Sequence, residues 1–234
     1  MSQEASPLPP PLLRPLTPRK AERRERILSS TITLLGIHGY DAVTMSMIAR
    51  ESGTAEKTLY NNFGTKDRLV AVAARERSAS VFALAATRQP AQGWPRMREF
   101  ARTAAEVTLE APVLSRSLAR LLLDHAELVG LHNVYETQVG AMLAAIAADG
   151  LIGADAPVDL LVRTIRLAVV SAVLFWARGQ VADAEIEACI IGRCAEILLP
   201  HATAAGQETF RDQALKASAL MASMPPPVIN YSAL

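Results

Sequence analysis

The sequence has few of the residues that bind metals or form covalent cross-links. Its only two cysteines, Cys189 and Cys194, are five positions apart on one predicted helix, so they face different sides. That spacing fits no common zinc or redox motif, and we expect two reduced, buried thiols. The four histidines are scattered without metal-ligand spacing. We therefore expect neither a metal nor another cofactor.

Signatures of common enzymes are also missing. No GxSxG, HExxH, phosphate-binding loop or dinucleotide fingerprint occurs in the 234 residues. Acidic pairs such as Asp124 and Glu127, on one predicted helix face, are interpreted as solvated surface. The sequence therefore predicts a protein that is not an enzyme.

Long apolar runs are absent as well. The longest, from Leu167 to Ala177, is interrupted only by Ser171 and falls short of the ~20 residues that cross a bilayer. The first residues, MSQEASPLPPPLL, lack the basic segment and apolar core of a secretory signal. We predict a cytoplasmic protein without membrane contact.

Helix-forming residues dominate what is present. Half of the residues are apolar and a fifth are charged, aromatics make up 5%, and no alternating strand pattern with paired turn residues is found. The fold class is predicted to be all-α. Apolar periodicity predicts helices at 19–37, 45–51, 55–62, 66–87, 95–109, 112–129, 132–148, 157–178, 184–199 and 206–222. Six prolines make residues 1–18 a predicted disordered or extended arm, and three consecutive prolines fall in a short tail, 224–234.

The charges are unevenly distributed. Between Arg14 and Arg77 there are twelve Lys or Arg and seven Asp or Glu, a net charge of +5, whereas the whole chain carries +1. The remainder is therefore at −4. This asymmetry suggests that the N-terminal part meets a polyanion. The alternative is ordinary scatter of charge over solvated helices.

The segment from Thr44 to Lys66, TMSMIARESGTAEKTLYNNFGTK, has the pattern of a helix-turn-helix. Two short helical patterns are separated at Ser52-Gly53, where glycine permits the positive φ needed to leave a helix. We expect Thr44 and Thr65 to cap the helices that follow them. Such a motif places its second helix, here 55–62, in the DNA major groove. The apolar residues of the motif are assigned to a small core: Met47, Ile48, Leu59 and Phe63.

Residues 21–72 resemble the TetR family of transcriptional regulators. The matching residues, in order, are Gly39-Tyr40, Thr44, Ile48-Ala49, Gly53, Thr58-Leu59-Tyr60, Phe63 and Lys66-Asp67-Arg68-Leu69. The chain departs from the family pattern at Thr54 (often Val), Ala55 (often Ser) and Gly64 (often Pro). Glu56 also places an acid beside a polyanion, although an acid suits the start of a helix.

The motif and the resemblance together predict six DNA-binding residues: Thr44, Lys57, Thr58, Tyr60, Asn61 and Lys66. The resemblance implies phosphate contacts for Tyr60 and Lys66, and the cap at Thr44 offers another. Lys57, Thr58 and Asn61 remain as candidates for base edges. The alternative for each is a solvated helix face.

The resemblance divides the chain into a DNA-binding domain at 19–65 and a helical domain at 66–223 that dimerises and holds a small-molecule ligand. The candidate dimer interface comprises Ile165, Ala168, Val169, Ala172, Val173, Trp176, Ile190 and Ile197. The candidate ligand pocket comprises Trp94, Met97, Phe100, Leu118, Leu122, His125, Tyr135 and Met142. The apolar stripes could instead fill the monomer's own core, and the pocket residues could be ordinary core and surface.

The resemblance implies a homodimeric repressor that binds an inverted-repeat, double-stranded DNA operator and is released by a small, largely apolar effector. Two alternatives stay open at the level of sequence. One is an activator, or a regulator that responds to no ligand. The other, to which Ala55, Glu56 and Gly64 point, is a small-molecule-binding or scaffold protein with impaired DNA binding.

Overall fold

The computed structural model describes residues 17–223. The predicted tail and all but the last two residues of the predicted arm lie outside this range. Within it the chain is helical, with one isolated bridge between Ile152 and Ala202. The all-α prediction is confirmed. The helices are α1 (Pro18–Ala42), α2 (Met45–Glu51), α3 (Glu56–Phe63), α4 (Lys66–Arg88), α5 (Trp94–Glu110), α6 (Pro112–Asp124), α7 (Ala126–Val129), α8 (Leu131–Ala148), α9 (Val158–Ala177), α10 (Ile186–Leu198) and α11 (Ala204–Ser223).

Local sequence signals set most helix boundaries. The Thr44 hydroxyl accepts a hydrogen bond from the Met47 amide at 3.2 Å, and the Thr65 hydroxyl accepts one from the Arg68 amide at 3.2 Å. Both predicted caps are therefore present. Gly39, with a φ of +75°, interrupts α1 near its end, at the predicted turn.

One helix prediction is wrong. The sequence predicts a single helix over 112–129, but the chain leaves helical geometry at His125, where φ is −144° and ψ is 44°. Neither glycine nor proline marks this position. The His125 ring instead lies 3.9 Å from carboxylate oxygens of both Asp67 and Glu127. A contact with α4, distant in sequence, therefore accompanies the break between α6 and α7.

Helices α1 to α3, which we call the head, enclose a small core. Ile27, Leu35, Ile48 and Leu59 have no solvent exposure. Met47 and Phe63 are partly buried and pack against these residues, in agreement with their assignment to the core. The head also packs on the rest of the chain, because α1 lies against both α4 and α6.

Helices α4 to α11, which we call the body, are layered around α10. Helix α10 lies between α9 and α11, and α9 in turn packs against α8. Gly192 of α10 faces α11 so closely that an added Cβ would lie 2.6 Å from the Cβ of Ala217. Cys194 is fully buried and Cys189 partly so, and both are free thiols.

Helix α9 is long and apolar enough to cross a bilayer by length and composition, with a mean hydropathy of 1.8 over its best 18 residues. The apolar run from Leu167 to Ala177 is shorter than this helix, because Arg163 and Arg166 end the run at its N-terminal side. These two arginines lower the mean hydropathy of α9 only a little. A third of the window is buried inside the protein, against its neighbouring helices. A core helix of a helical body has the same properties, so length and composition alone do not indicate a membrane span here.

Candidate nucleic-acid interface

The turn between α2 and α3 is fixed by backbone hydrogen bonds. The Ser52 amide donates to the Ile48 carbonyl and the Thr54 amide to the Ala49 carbonyl, each at 2.9 Å. Between them Gly53 has a φ of +61°, which a residue with a side chain rarely adopts. The turn sets the direction of α3, and Leu59 anchors that helix in the head core.

The outer face of α3 is polar. Lys57 and Asn61 are exposed, and 48% of Tyr60 is exposed. Thr58 is half-buried, while Thr44 lies exposed at the start of α2. These five side chains are therefore accessible to a partner, and their DNA contacts stay predictions.

The two departures from the family pattern at the ends of α3 have clear structural consequences. Ala55, the residue before the helix, makes no side-chain hydrogen bond to the first turn. Gly64, after the helix, has a φ of +78°, which proline with its fixed φ near −65° cannot adopt. The chain therefore leaves α3 by a different route from one with proline at this position.

Lys66 is held by the head. Its Nζ donates a hydrogen bond to the Tyr40 carbonyl at 3.0 Å and lies 4.3 Å from the centre of the Tyr40 ring. An ammonium has three donors, so two protons remain for another acceptor. A phosphate contact for Lys66 stays a prediction, and the structure adds a role in fixing the Gly39-Tyr40 turn.

Polar contacts join the head to the body around Tyr40. The Tyr40 hydroxyl donates to Oδ1 of Asp67, the second residue of α4. Burial, together with this carboxylate, raises the pKa of Tyr40 above its usual value. Asp41 beside it forms an ion pair with Arg120 of α6. The end of α1 is thereby attached to two helices of the body.

A cavity of about 120 Å³ lies inside the body, between α4, α5, α6, α8 and α9. Four of the eight predicted ligand residues line it: Phe100, Leu118, Leu122 and Tyr135. The other four do not. Met97 and Met142 are core residues, Trp94 packs edge-on against Phe210, and His125 lies at the contact with Asp67.

Several cavity residues were not found from the sequence, chiefly those of α4. Arg77, Ser78, Val81 and Phe82 all line the cavity. Their spacing of one, four and five residues from Arg77 gives one helix face, a signal that was available in the sequence.

The predicted dimer interface needs correction at five of its eight positions. The side chains of Ile165, Val169, Ala172, Trp176 and Ile190 are buried within the protomer's own core. For these five residues the alternative interpretation, that the apolar faces of α9 and α10 fill the monomer's own core, is correct. Helices α8 and α10 cover the face of α9 that contains them, and α9 and α11 pack on either side of α10. Ala168, Val173 and Ile197 are partly buried and stay predictions.

Other apolar residues of α9 are exposed instead. Leu160, Leu167 and Phe175 point outward with between 49% and 56% exposure. With Thr164 and Ser171 they follow the order i, i+4, i+7, i+11 and i+15, which is one continuous helix face. The outer side of α9 is thus an apolar strip with small polar residues between its large ones.

Residues 27–73 match the family model described as bacterial regulatory proteins, tetR family. This range contains α2, the glycine turn and α3 with its exposed polar face. The chain thus contains an N-terminal domain of the tetR family. None of the curated proteins matches it in sequence.

Solved structures of TetR-family regulators share the fold of this chain over both head and body. A TetR transcriptional regulator from Rhodococcus sp. RHA1 is 18% identical, with 77% of this chain and 98% of that one aligned at a TM-score of 0.62. RolR in complex with resorcinol is 19% identical, and the alignment covers 91% of this chain and 98% of that one at a TM-score of 0.59. Thermus thermophilus FadR, a transcriptional repressor in complex with lauroyl-CoA, is 16% identical. The alignment covers 88% of this chain and 98% of that one at a TM-score of 0.54.

Proposed function

We propose that this protein is a TetR-family transcriptional regulator, a homodimeric repressor that binds an inverted-repeat operator and leaves it when a small, largely apolar effector occupies the body. The observation that carries the proposal is the outward polar face of α3, on a helix whose opposite side is anchored by Leu59. Lys57 and Asn61 on that face have the donors and acceptors that distinguish base edges in a major groove.

The net charge supports the proposed DNA contact. The segment from Arg14 to Arg77, at +5, contains the whole helix-turn-helix. Sequence-independent affinity for DNA comes largely from cations placed near phosphates. Glu56, exposed on α3, opposes this attraction and would accept from a cytosine amine or point away from the duplex.

The apolar strip on α9 supports a dimer formed by two copies of this chain. An isologous interface needs one self-complementary surface, and an exposed helix face with large and small residues alternating can pack against its own symmetry mate. A dimer would present two α3 helices to successive major grooves of an inverted repeat.

The cavity supports a small effector. It is lined mainly by apolar side chains, with a few polar groups, as small-molecule sites usually are. RolR and Thermus thermophilus FadR share the fold and hold resorcinol and lauroyl-CoA respectively. A ligand lowers DNA affinity only through different affinities for the DNA-bound and free conformations.

Selection of bound sequences from random duplex DNA tests the proposal, and we expect an inverted repeat. Against the selected operator, Asn61→Ala should lose about 1–3 kcal/mol of preference at one base pair. Lys57→Ala should weaken binding and reduce its dependence on salt concentration.

Matched controls come from exposed residues of the body. Lys216→Ala on α11 and Asn133→Ala on α8 make the same chemical changes outside the head and should leave operator binding unchanged. Failure to select any sequence, or equal effects of head and body variants, would reject the proposed interface.

A further inference from the structure

The walls of the effector cavity include three aromatic rings in contact. The rings of Phe82 and Phe100 are stacked, with centroids 4.1 Å apart and planes 3° from parallel. The Tyr135 ring stands edge-on to both, at 5.2 Å from Phe82 and 6.2 Å from Phe100. Rings prefer stacked or edge-on partners, so this wall favours a flat aromatic ligand.

Arg77 brings a positive charge to the same cavity. Its Nη2 donates to the Val107 carbonyl at 3.1 Å, and within residues 17–223 no carboxylate oxygen lies within 4.0 Å of it. Partial burial lowers the pKa of the guanidinium, although the charge of Glu110 opposes this effect. A guanidinium has five N–H donors, and Arg77 uses one for the protein.

A half-buried cation without a close counter-ion is an unfavourable arrangement in an isolated protein. The planar N–H donors of the Arg77 guanidinium match the geometry of a carboxylate, to which they can donate two parallel hydrogen bonds. The free energy lost by partial burial of the charge would thus be recovered when an anionic ligand enters.

The size of the cavity limits the ligand. Its volume is about 120 Å³. A cavity of roughly 150 Å³ accommodates one benzene ring, so the space here limits a ligand to a single ring and is too small for a long acyl chain. Arg77 and Phe82, both on its wall, are five residues apart on α4, about 7.5 Å along the helix axis. A ring with one carboxylate attached spans a comparable length.

We propose that the cavity binds a single-ring aromatic carboxylate, with the ring against Phe82, Phe100 and Tyr135 and the carboxylate on Arg77. The inference rests on the proposed function of the cavity as the effector site, and it names the chemical class of the effector. According to this proposal, Arg77 makes the cavity bind an anionic aromatic ligand more tightly than a neutral one.

Calorimetric titration of the full-length protein with benzoate, benzamide and laurate tests the assignment without DNA. Benzoate should bind about tenfold or more tightly than benzamide, which has the same shape without the charge, and more tightly than laurate. Equal affinity for benzoate and benzamide, tighter binding of laurate, or no binding of benzoate would overturn the assignment. This comparison uses the unaltered protein, so it does not depend on the folding of a variant.

Substitution of Arg77 gives a second readout. Arg77→Gln should abolish the preference for benzoate over benzamide, whereas Arg98→Gln, an exposed arginine of α5 outside the cavity, should retain it. Retention of the preference in Arg77→Gln would show that another group binds the carboxylate.

Release of the selected operator separates the inference from the proposed function. If benzoate binds with the expected preference but leaves the operator bound, the ligand class stands and the effector role fails. If other compounds release the operator and benzoate does not bind, the effector role stands and the ligand class is wrong.

Discussion

Tyr40 makes three contacts with the first turn of α4 through different atoms. Its carbonyl accepts from Lys66, its ring lies under the same ammonium, and its hydroxyl donates to Asp67. The residue follows Gly39, whose positive φ interrupts α1. The Gly-Tyr pair is thus both a turn and an attachment point for the first turn of α4.

The stability of this attachment can be tested with a matched pair of tyrosines. Tyr40→Phe removes a hydrogen bond to a carboxylate and should lower the free energy of unfolding by about 1–2 kcal/mol. Tyr60→Phe, on the exposed face of α3, should leave the free energy of unfolding unchanged while weakening DNA binding. Urea denaturation of the two variants provides the measurement, and equal stabilities would show that the Tyr40 hydroxyl contributes nothing.

Residues with local roles could be predicted from the sequence. The caps at Thr44 and Thr65 and the positive φ at Gly53 depend only on neighbouring residues, and all three are present. The contact of Lys66 with Tyr40 could not be predicted, because it joins residues 26 positions apart. The helix face that contains Arg77 could be predicted from residue spacing, but only the folded body shows that this face lines a cavity.

At the scale of helices, close packing of α10 against α11 depends on one glycine. Gly192 leaves no space for a Cβ beside Ala217. A small residue on a helix face permits close approach to a neighbouring helix, either in the same chain or in a symmetry mate. The partner is α11 of the same chain, a distinction that amphipathic pattern alone does not make.

Two glycine substitutions should therefore have opposite effects. Gly192→Ala must separate α10 from α11 and should destabilise the protein by about 1–3 kcal/mol. Gly140→Ala, inside α8 with no atom within 4 Å of the added Cβ, should stabilise it by about 0.5–1 kcal/mol. Thermal unfolding of both variants tests this, and a neutral Gly192→Ala would show that the two helices move apart at little cost.

Helix positions were predicted to within a few residues for most of the chain, whereas the outward faces of helices were not. Both faces of α9 are rich in apolar residues, so periodicity could not show which face the protomer buries. The structure buries Ile165 and Trp176 and exposes Leu167 and Phe175. The faces follow from the positions of α8 and α10, which only the fold determines.

For the whole molecule, the apolar strip on α9 predicts the state of assembly. Leu167 is 55% exposed on that strip, and Leu167→Glu would place a charge in each copy at a symmetric interface. We expect the variant to be monomeric by analytical ultracentrifugation and to lose affinity for the inverted repeat.

The control is an exposed leucine elsewhere. Leu215 on α11 is 64% exposed, and Leu215→Glu should remain dimeric. A dimeric Leu167→Glu, or a wild-type protein that is monomeric at micromolar concentration, would contradict the proposed interface.

The position of α11 in the chain has a consequence for synthesis. This helix, Ala204–Ser223, inserts the fully buried Phe210 against Trp94 of α5. The body therefore cannot complete its interior until α11 has left the ribosome, whereas most core residues of the head emerge much earlier. A premature stop codon between α10 and α11 would leave the apolar back of α10 uncovered, and such a product would be a substrate for chaperones and proteases rather than a shortened functional protein.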